Sequence, residues 1–346
     1  MSSNKSLVFS KIPDGLPVAD VHLKVLPGDC DYEHEPPQGG FIAKVLYASL
    51  DPSLRFQLVH PNSPREFPPL PIGSVLSSTS IVKVIRASQD SEFAPDEILC
   101  GNCPIQEYIV IDAGNAARFQ RIQNPHNLDL KVFLGPLGPP GLTAYSAFYK
   151  IGEPKRGQTI LVSAASGAVG QLVGQLALKE GLIVIGSAGT DEKVKILKEE
   201  LGFPFAFNYK KVDILQEIKR VAPGGIDIYY DNVGGQQLEA AIHALNPCGR
   251  IVACGYASQY NSDPNEQYGI RNTGLLVGKR IIWRGFLVDI DGEEYKSAHQ
   301  ENVGRWLLDG SLKWIMSETH GIENAAHGLI ELFRGDNKGK AILCMD

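Results

Sequence analysis

The sequence has no apolar run of membrane-spanning length, so no spanning helix is expected. Met1 to Asp14 lack the apolar core of a signal peptide, which predicts a cytoplasmic protein. Basic clusters are also missing. With 33 Lys and Arg against 39 Asp and Glu, the net charge of −6 argues against nucleic acid as the main partner. Six cysteines in 346 residues are too few for a disulfide-stapled scaffold. Cys100 and Cys103 form a pair, but no second pair stands nearby to complete a four-sulfur zinc site. They read as ordinary thiols in a loop, and no metal is expected. Cys248, Cys254 and Cys344 lie among apolar residues and read as small buried hydrophobes. Repeats and low-complexity segments are absent as well.

What is present is an ordinary globular composition in a chain long enough for two domains. Its organising stretch is Thr159 to Gly181. Thr159 to Val162 suits a buried parallel strand, and from Ala168 the apolar residues Val169, Leu172, Val173, Leu176 and Ala177 recur at helical spacing. Between strand and helix, Ala165, Gly167 and Gly170 hold the spacing of a dinucleotide fingerprint whose first glycine is replaced by alanine. Small residues let the backbone approach a pyrophosphate, and the helix N-terminus at Ala168 and Val169 supplies N–H donors and a positive dipole end. Tight helix–sheet packing alone would also select small residues. Ser166 lies in the same turn, but a nucleophile elbow needs glycines where Ala164 and Ala168 stand.

Before this stretch, Val21 to Arg118 alternates short strands such as Phe41–Ser49 and Ser80–Ile85 with turn-rich segments, and Pro61 to Pro71 predicts an extended loop. This suggests an irregular, barrel-like β domain. Asp51 and Arg55 follow the Phe41–Ser49 strand, where a turn closed by their pairing is the simplest reading. Gly135 to Gly141 is dense in Gly and Pro and predicts a domain boundary, followed by a helix over Leu142–Lys150. Strands over 182–186, 205–209, 226–230 and 250–254 then alternate with helices over 190–201, 213–221 and 236–245, which predicts a doubly wound parallel sheet. A further strand is expected over Lys279–Leu287, at a sheet edge that a second subunit could pair, then a helix from Tyr295 to Asp309. The last segment ends in a strand at Ala341–Cys344, so the C-terminus is expected to complete the first domain. The expected domains are 1–136 with 319–346, and 137–318.

The second strand of an NAD-binding unit usually ends in Asp or Glu, which holds the adenosine ribose. Here Ser187-Ala188-Gly189 occupies that place, so no carboxylate repels a 2′-phosphate. Lys193 sits in the first turn of the next helix, where the dipole disfavours a cation by a few tenths of a kcal/mol. A solvated lysine is one explanation, and an anionic ligand is another. Together with the acidless strand end, Lys193 favours NADPH over NADH. Asn232 and Tyr260 follow two later strand ends, where an open parallel sheet forms its ligand crevice, although either could instead cap a turn.

The chain resembles the zinc-independent medium-chain dehydrogenases/reductases, in the branch of prostaglandin reductases, leukotriene B4 12-hydroxydehydrogenases and plant 2-alkenal double-bond reductases. The resemblance covers nearly the whole chain. It rests on Ser49-Leu50-Asp51-Pro52 with Arg55, Gly141 to Tyr145, Ala164 to Gly170 with Gly174 and Gln175, and Asp191-Glu192-Lys193. It continues through Phe207 to Lys210, Asp231 to Gly235, Cys254-Gly255 with Tyr260-Asn261, and Gly335-Asp336-Asn337 with Gly339-Lys340. It implies a GroES-like β domain built from both chain ends, an inserted Rossmann domain, a cleft between them and a homodimer joined through Rossmann sheet edges. It also implies that Lys193 and Tyr209 hold the NADPH 2′-phosphate region. Asn232, Cys254, Phe286 and Asn337 would lie along the cofactor, Tyr260 would be catalytic, and Arg55 and Tyr256 would join Tyr260 at the substrate.

The implied reaction is hydride transfer to the β-carbon of an α,β-unsaturated aldehyde or ketone, with Tyr260 donating a hydrogen bond to the developing enolate. A zinc-free ketone or quinone reductase and a non-catalytic NADPH-binding protein are the alternatives. The chain departs from the family pattern at Gly101 to Ile105, where a tryptophan is often found, and at Ser77 to Ser80, which replaces a glycine-rich strand. Both departures fall in the domain expected to shape the substrate pocket.

Overall fold

A computed structural model describes residues 2–30, 32–60 and 69–345. The chain divides into two compact units, Met1–Leu134 with Met316–Asp346, and Gly135–Ile315. The divisions thus fall at 134/135 and 315/316, beside the 136/137 and 318/319 read from the sequence.

Gly135–Ile315 opens with helix α1 (Pro139–Ala147), its two prolines at the first turn, where a missing N–H costs nothing. Strand and helix then alternate as β1 (Thr159–Val162), α2 (Ala168–Lys179), β2 (Ile183–Ala188), α3 (Asp191–Glu199), β3 (Phe205–Asn208), α4 (Ile214–Val221), β4 (Ile226–Asp231), α5 (Gly235–Ala244), β5 (Leu245–Ala253) and β6 (Ile282–Gly285). All neighbours pair in parallel in the order β3-β2-β1-β4-β5-β6, the doubly wound dinucleotide-binding order. The central strands are apolar on both faces because helices cover both, and Ile160, Leu161, Val162, Ile185, Tyr229 and Ile251 are fully buried. Two buried glutamines of α2 fasten the end of this unit. Gln171 exchanges both amide hydrogen bonds with the backbone of Ile315, and Gln175 does the same with Lys313, at 2.8–3.0 Å.

The segment Gly278–Leu287 is only partly strand. Residues Gly274–Lys279 form a short helix, Arg280 turns left-handed, and β6 is confined to Ile282–Gly285. The reason lies in Lys279, whose ammonium donates to the carbonyls of His243 and Leu245 at 2.8 and 2.7 Å, satisfying the C-terminal end of α5. Cys248 also departs from expectation, being exposed in a left-handed turn early in β5.

Met1–Leu134 with Met316–Asp346 is built on a seven-stranded sheet. Its path runs Met316–His320, Lys340–Cys344, Phe41–Leu50, Ser77–Ala87, Ile98–Pro104, Phe119–Arg121, with Tyr108–Ile111 pairing Phe41–Leu50. The C-terminal strand Lys340–Cys344 lies between two others, so the chain end is integral to the sheet. Phe41 centres the core, meeting Phe93 and Phe119 edge-on at 5.4 and 5.2 Å. Cys100 and Cys103 sit on a strand rather than in the expected loop. Three residues apart on regular pleat, they point to opposite faces, and burial pushes their thiols up to about 11 and about 12. The expected Pro61–Pro71 loop lies outside the described residues up to Pro68. Asp51 is committed elsewhere than a simple local turn: its carboxylate accepts from Ser49 Oγ and lies 3.2 Å from the fully buried ammonium of Lys340.

Candidate active site

The turn between β1 and α2 is shaped by close contacts. A Cβ on Gly170 would fall 2.5 Å from Ala164 O and 2.7 Å from Ala165 Cα, and a Cβ on Gly174 would fall 1.8 Å from the ring of Phe203. Only glycine lets α2 lie this near its strand and the β2 side of the sheet. Ala164 adopts φ of +44°, a left-handed conformation that the sequence pattern does not announce. Ala165 N–H donates to Ser187 O at 2.9 Å, so the turn is tied to the end of β2. Gly167 is the N-cap residue of α2 and offers no side-chain cap to the first-turn N–H groups of Ala168 and Val169. The uncapped, positive N-terminal end of α2 beside this small-residue turn suits a pyrophosphate.

At the end of β2 no acid is present, and Ser187 turns its hydroxyl inward to Gln237 at 2.5 Å. Any contact it makes with a ligand would therefore come from backbone. Thr190 caps α3, accepting from Lys193 N–H at 3.2 Å. Lys193 itself is only 9% exposed, which removes the solvated-lysine reading. A Cβ on Gly189 would lie 3.5 Å from both the Tyr209 phenol and Lys210 Cε. Gly189, Tyr209 and Lys210 are therefore gathered at one corner, with Lys193 on the helix that follows. Lys210 was not singled out by sequence reasoning; its adjacency to Tyr209 was the available signal. Asp191 adds no free negative charge to this corner, since its carboxylate is bound by Asn208 at 2.8 Å and Lys211 at 2.5 Å. Those two partners hold its carboxyl below the usual range.

At the ends of β4 and β5 a buried polar network fixes the backbone. Asp231 Oδ1 accepts from Tyr229 Oη at 2.9 Å and from the N–H groups of Val233 and Gly234 at 3.0 and 2.8 Å. Burial nevertheless raises its carboxyl above the usual value. Asn232 Nδ2 donates to Ser163 O at 2.7 Å, and its N–H donates to Ser163 Oγ at 2.9 Å. Asn232 thus ties β4 to the fingerprint turn, a linkage through Ser163 that sequence reasoning missed. Cys254 N–H and Gly255 N–H both donate to Asp231 O, and burial pushes the Cys254 thiol up to about 11. Phe286, buried, donates its N–H to Ala253 O at 3.2 Å.

Tyr260 closes a short 3₁₀ turn after β5, and a Cβ on Gly255 would lie 3.2 Å from its hydroxyl. The phenol thus rests on the carboxyl end of β5. Tyr256 packs edge-on against it, ring centroids 4.8 Å apart, and burial raises the Tyr260 phenol well above 10. A phenol so placed is a hydrogen-bond donor throughout the physiological range.

Arg55 and Asn337 belong to the other unit. Arg55 is buried, donating to Leu58 O at 2.8 Å and Gly15 O at 3.0 Å, while Asn337 Nδ2 closes a local turn onto Gly339 O at 2.7 Å.

Comparison with known proteins places this geometry in a lineage. Residues 5–119 match the model "N-terminal domain of oxidoreductase" and residues 168–301 match "Zinc-binding dehydrogenase". The chain is 49% identical to an NADP-dependent oxidoreductase of Cochliobolus heterostrophus, over 99% of this chain and 98% of that one. It is 37% identical to the NADP(+)-dependent 2-alkenal reductase of Nicotiana tabacum, over 99% and 97%. The crystal structure of CurA from Vibrio vulnificus in complex with NADPH superposes with a TM-score of 0.89 at 29% identity, covering 99% of each chain. The chain belongs to the medium-chain dehydrogenase/reductase family, in its zinc-independent enone reductase branch.

Proposed function

We propose that this protein is an NADPH-dependent ene-reductase that saturates the C=C bond of α,β-unsaturated aldehydes or ketones. It is an NADPH oxidoreductase by its family and by the NADP-dependence of its relatives. The residues present suit that cofactor: the uncapped N-terminus of α2 at Gly167 for the pyrophosphate, and the acidless end of β2 with Lys193, Tyr209 and Lys210 for a 2′-phosphate. Asn232, Cys254, Phe286 and Asn337 are assigned to the rest of the dinucleotide. Bound NADPH supplies a hydride.

The observation that carries the reaction type is Tyr260, a phenol held protonated on the carboxyl end of β5. Its role is to donate a hydrogen bond to a carbonyl oxygen as that oxygen gains charge, worth roughly 3–4 kcal/mol in comparable donors. Tyr256 restricts the Tyr260 ring by edge-on packing, and Arg55 and Tyr256 are assigned to the substrate side. Incubation with NADPH and a panel of enals and enones tests the proposal. Saturated carbonyl products support it, and allylic alcohols, or no product with any substrate, reject it.

The proposal extends to a homodimer. Among the described residues β6 is the edge strand of its sheet, paired on one side only, and it presents Ile282 and Trp283 at 55% and 42% exposure. An apolar open edge favours pairing with a second copy.

A further inference from the structure

In Met1–Leu134 with Met316–Asp346, the two adjacent strands at the sheet edge bring together three side chains of different chemistry. The pairing is parallel, with His320 opposite Cys344 and Glu318 two residues earlier on the same face as His320. Glu318 Oε2 lies 3.6 Å from Cys344 Sγ and 3.4 Å from His320 Nε2. One ligand atom from each of the three falls within 4.8 Å of the other two.

Two of these separations match the edges of a metal-centred tetrahedron, and the third, between imidazole and sulfur, lies within 4.8 Å. Zinc bonds of about 2.3 Å to sulfur, 2.05 Å to imidazole and 2.1 Å to carboxylate give edges of about 3.6 Å for S···O and about 3.4 Å for N···O. The other carboxylate oxygen, Glu318 Oε1, is held by Lys131 Nζ at 2.6 Å, so Oε2 is the one turned toward sulfur and imidazole. Asp129 lies 3.3 Å from Lys131 Nζ and offsets its charge. A Glu318 carboxylate and a Cys344 thiolate then balance a divalent ion with His320 neutral. A cavity of about 210 Å³ bordered by Tyr47, Lys131, Glu318, His320 and Cys344 adjoins the cluster and has room for water as a fourth ligand.

We propose that Glu318 Oε2, His320 Nε2 and Cys344 Sγ form a site for a zinc-class divalent transition-metal ion, separate from the residues assigned to NADPH. On binding, the Cys344 S–H bond breaks, a metal–sulfur bond forms and the proton leaves to solvent. The ion pins the edge strand Met316–His320 to the C-terminal strand. Sequence spacing does not reveal it, because Glu318-x-His320 and Cys344 meet only through strand pairing.

The test uses the full-length, reduced, metal-stripped protein titrated with Co²⁺ as a spectroscopic stand-in for Zn²⁺. One equivalent is expected to raise a sulfur-to-cobalt charge-transfer band in the near ultraviolet, and Zn²⁺ is expected to displace it. The band is expected to vanish in Cys344→Ser and to persist in Cys248→Ser, which removes an exposed thiol. His320→Ala changes an exposed side chain, leaves the fold intact, and is expected to weaken binding at least tenfold. Absence of the band in the native chain, its survival in Cys344→Ser, or an unchanged affinity in His320→Ala overturns the site and leaves a hydrogen-bonded cluster only.

Discussion

Lys193 occupies a position that the helix dipole disfavours, yet it is buried rather than extended into water. A buried lysine in the first turn of the helix that follows an acidless strand end suits a phosphate monoester. Lys193→Ala is expected to raise KM for NADPH by about 10- to 100-fold while leaving NADH use nearly unchanged, as a charge-assisted contact of about 1.5–3 kcal/mol implies. Equal losses with both cofactors would remove the phosphate assignment. Tyr260→Phe is expected to lower kcat by about 10²- to 10³-fold with little change in NADPH affinity, measured by cofactor titration alongside turnover. Because burial raises the phenol above 10, the donor form extends upward in pH, and no basic loss of rate attributable to Tyr260 is expected below pH 10. The sequence drew attention to Lys193 as a lysine at the wrong helix end and to Tyr260 as a tyrosine after a strand end, and the structure buries the first and sets the second on the end of β5. Ser163 was not legible, since its service to Asn232 depends on two strands meeting. Nor was the left-handed backbone of Ala164, where the fingerprint pattern shows only a small residue.

Among the elements, α2 shows how one spacing encodes packing. Gly174→Ala would drive a methyl into the ring of Phe203, which is almost fully buried and cannot swing aside. A loss of about 1–3 kcal/mol is expected by denaturant unfolding, without change in the cofactor preference of the folded enzyme. The helix Lys296–Leu308 carries a second device. His299 is fully buried, its Nε2 bonded to Pro136 O at 2.8 Å, and burial lowers its imidazole to about 4. The folded state therefore refuses a proton that the unfolded chain accepts below about 6.5. The contribution of His299 is complete above that value and is lost as pH falls toward 4, with a slope of up to about 1.4 kcal/mol per pH unit. His299→Asn is expected to flatten this slope in melts recorded between pH 7 and 4. The alternation of strand and helix from Thr159 to Cys254 was readable because its periods are strong and because α3 and α4 open on the capping residues Thr190 and Asp213. The segment around Lys279 was not, because its lysine acts on the carbonyls of a helix more than thirty residues earlier. Cys100 and Cys103 were misread for a related reason: their strand is defined by partners at Ser77–Lys83 and Phe119–Arg121, not by its own sequence.

For the whole molecule, the insertion of Gly135–Ile315 into a chain whose two ends share one sheet was foreshadowed by the Gly/Pro run at 135–141 and by the terminal strand. The sequence points to assembly only through a sheet edge that a second copy could pair. If β6 joins two copies, Trp283→Glu is expected to convert a dimer to monomer in sedimentation, and an unchanged mass would discard that interface. The reaction itself is exposed most directly by reducing an enone with NADPH deuterated at nicotinamide C4 and locating the label by NMR. Deuterium on the β-carbon of a saturated ketone is the expected result, whereas deuterium on the carbonyl carbon of an allylic alcohol would contradict it.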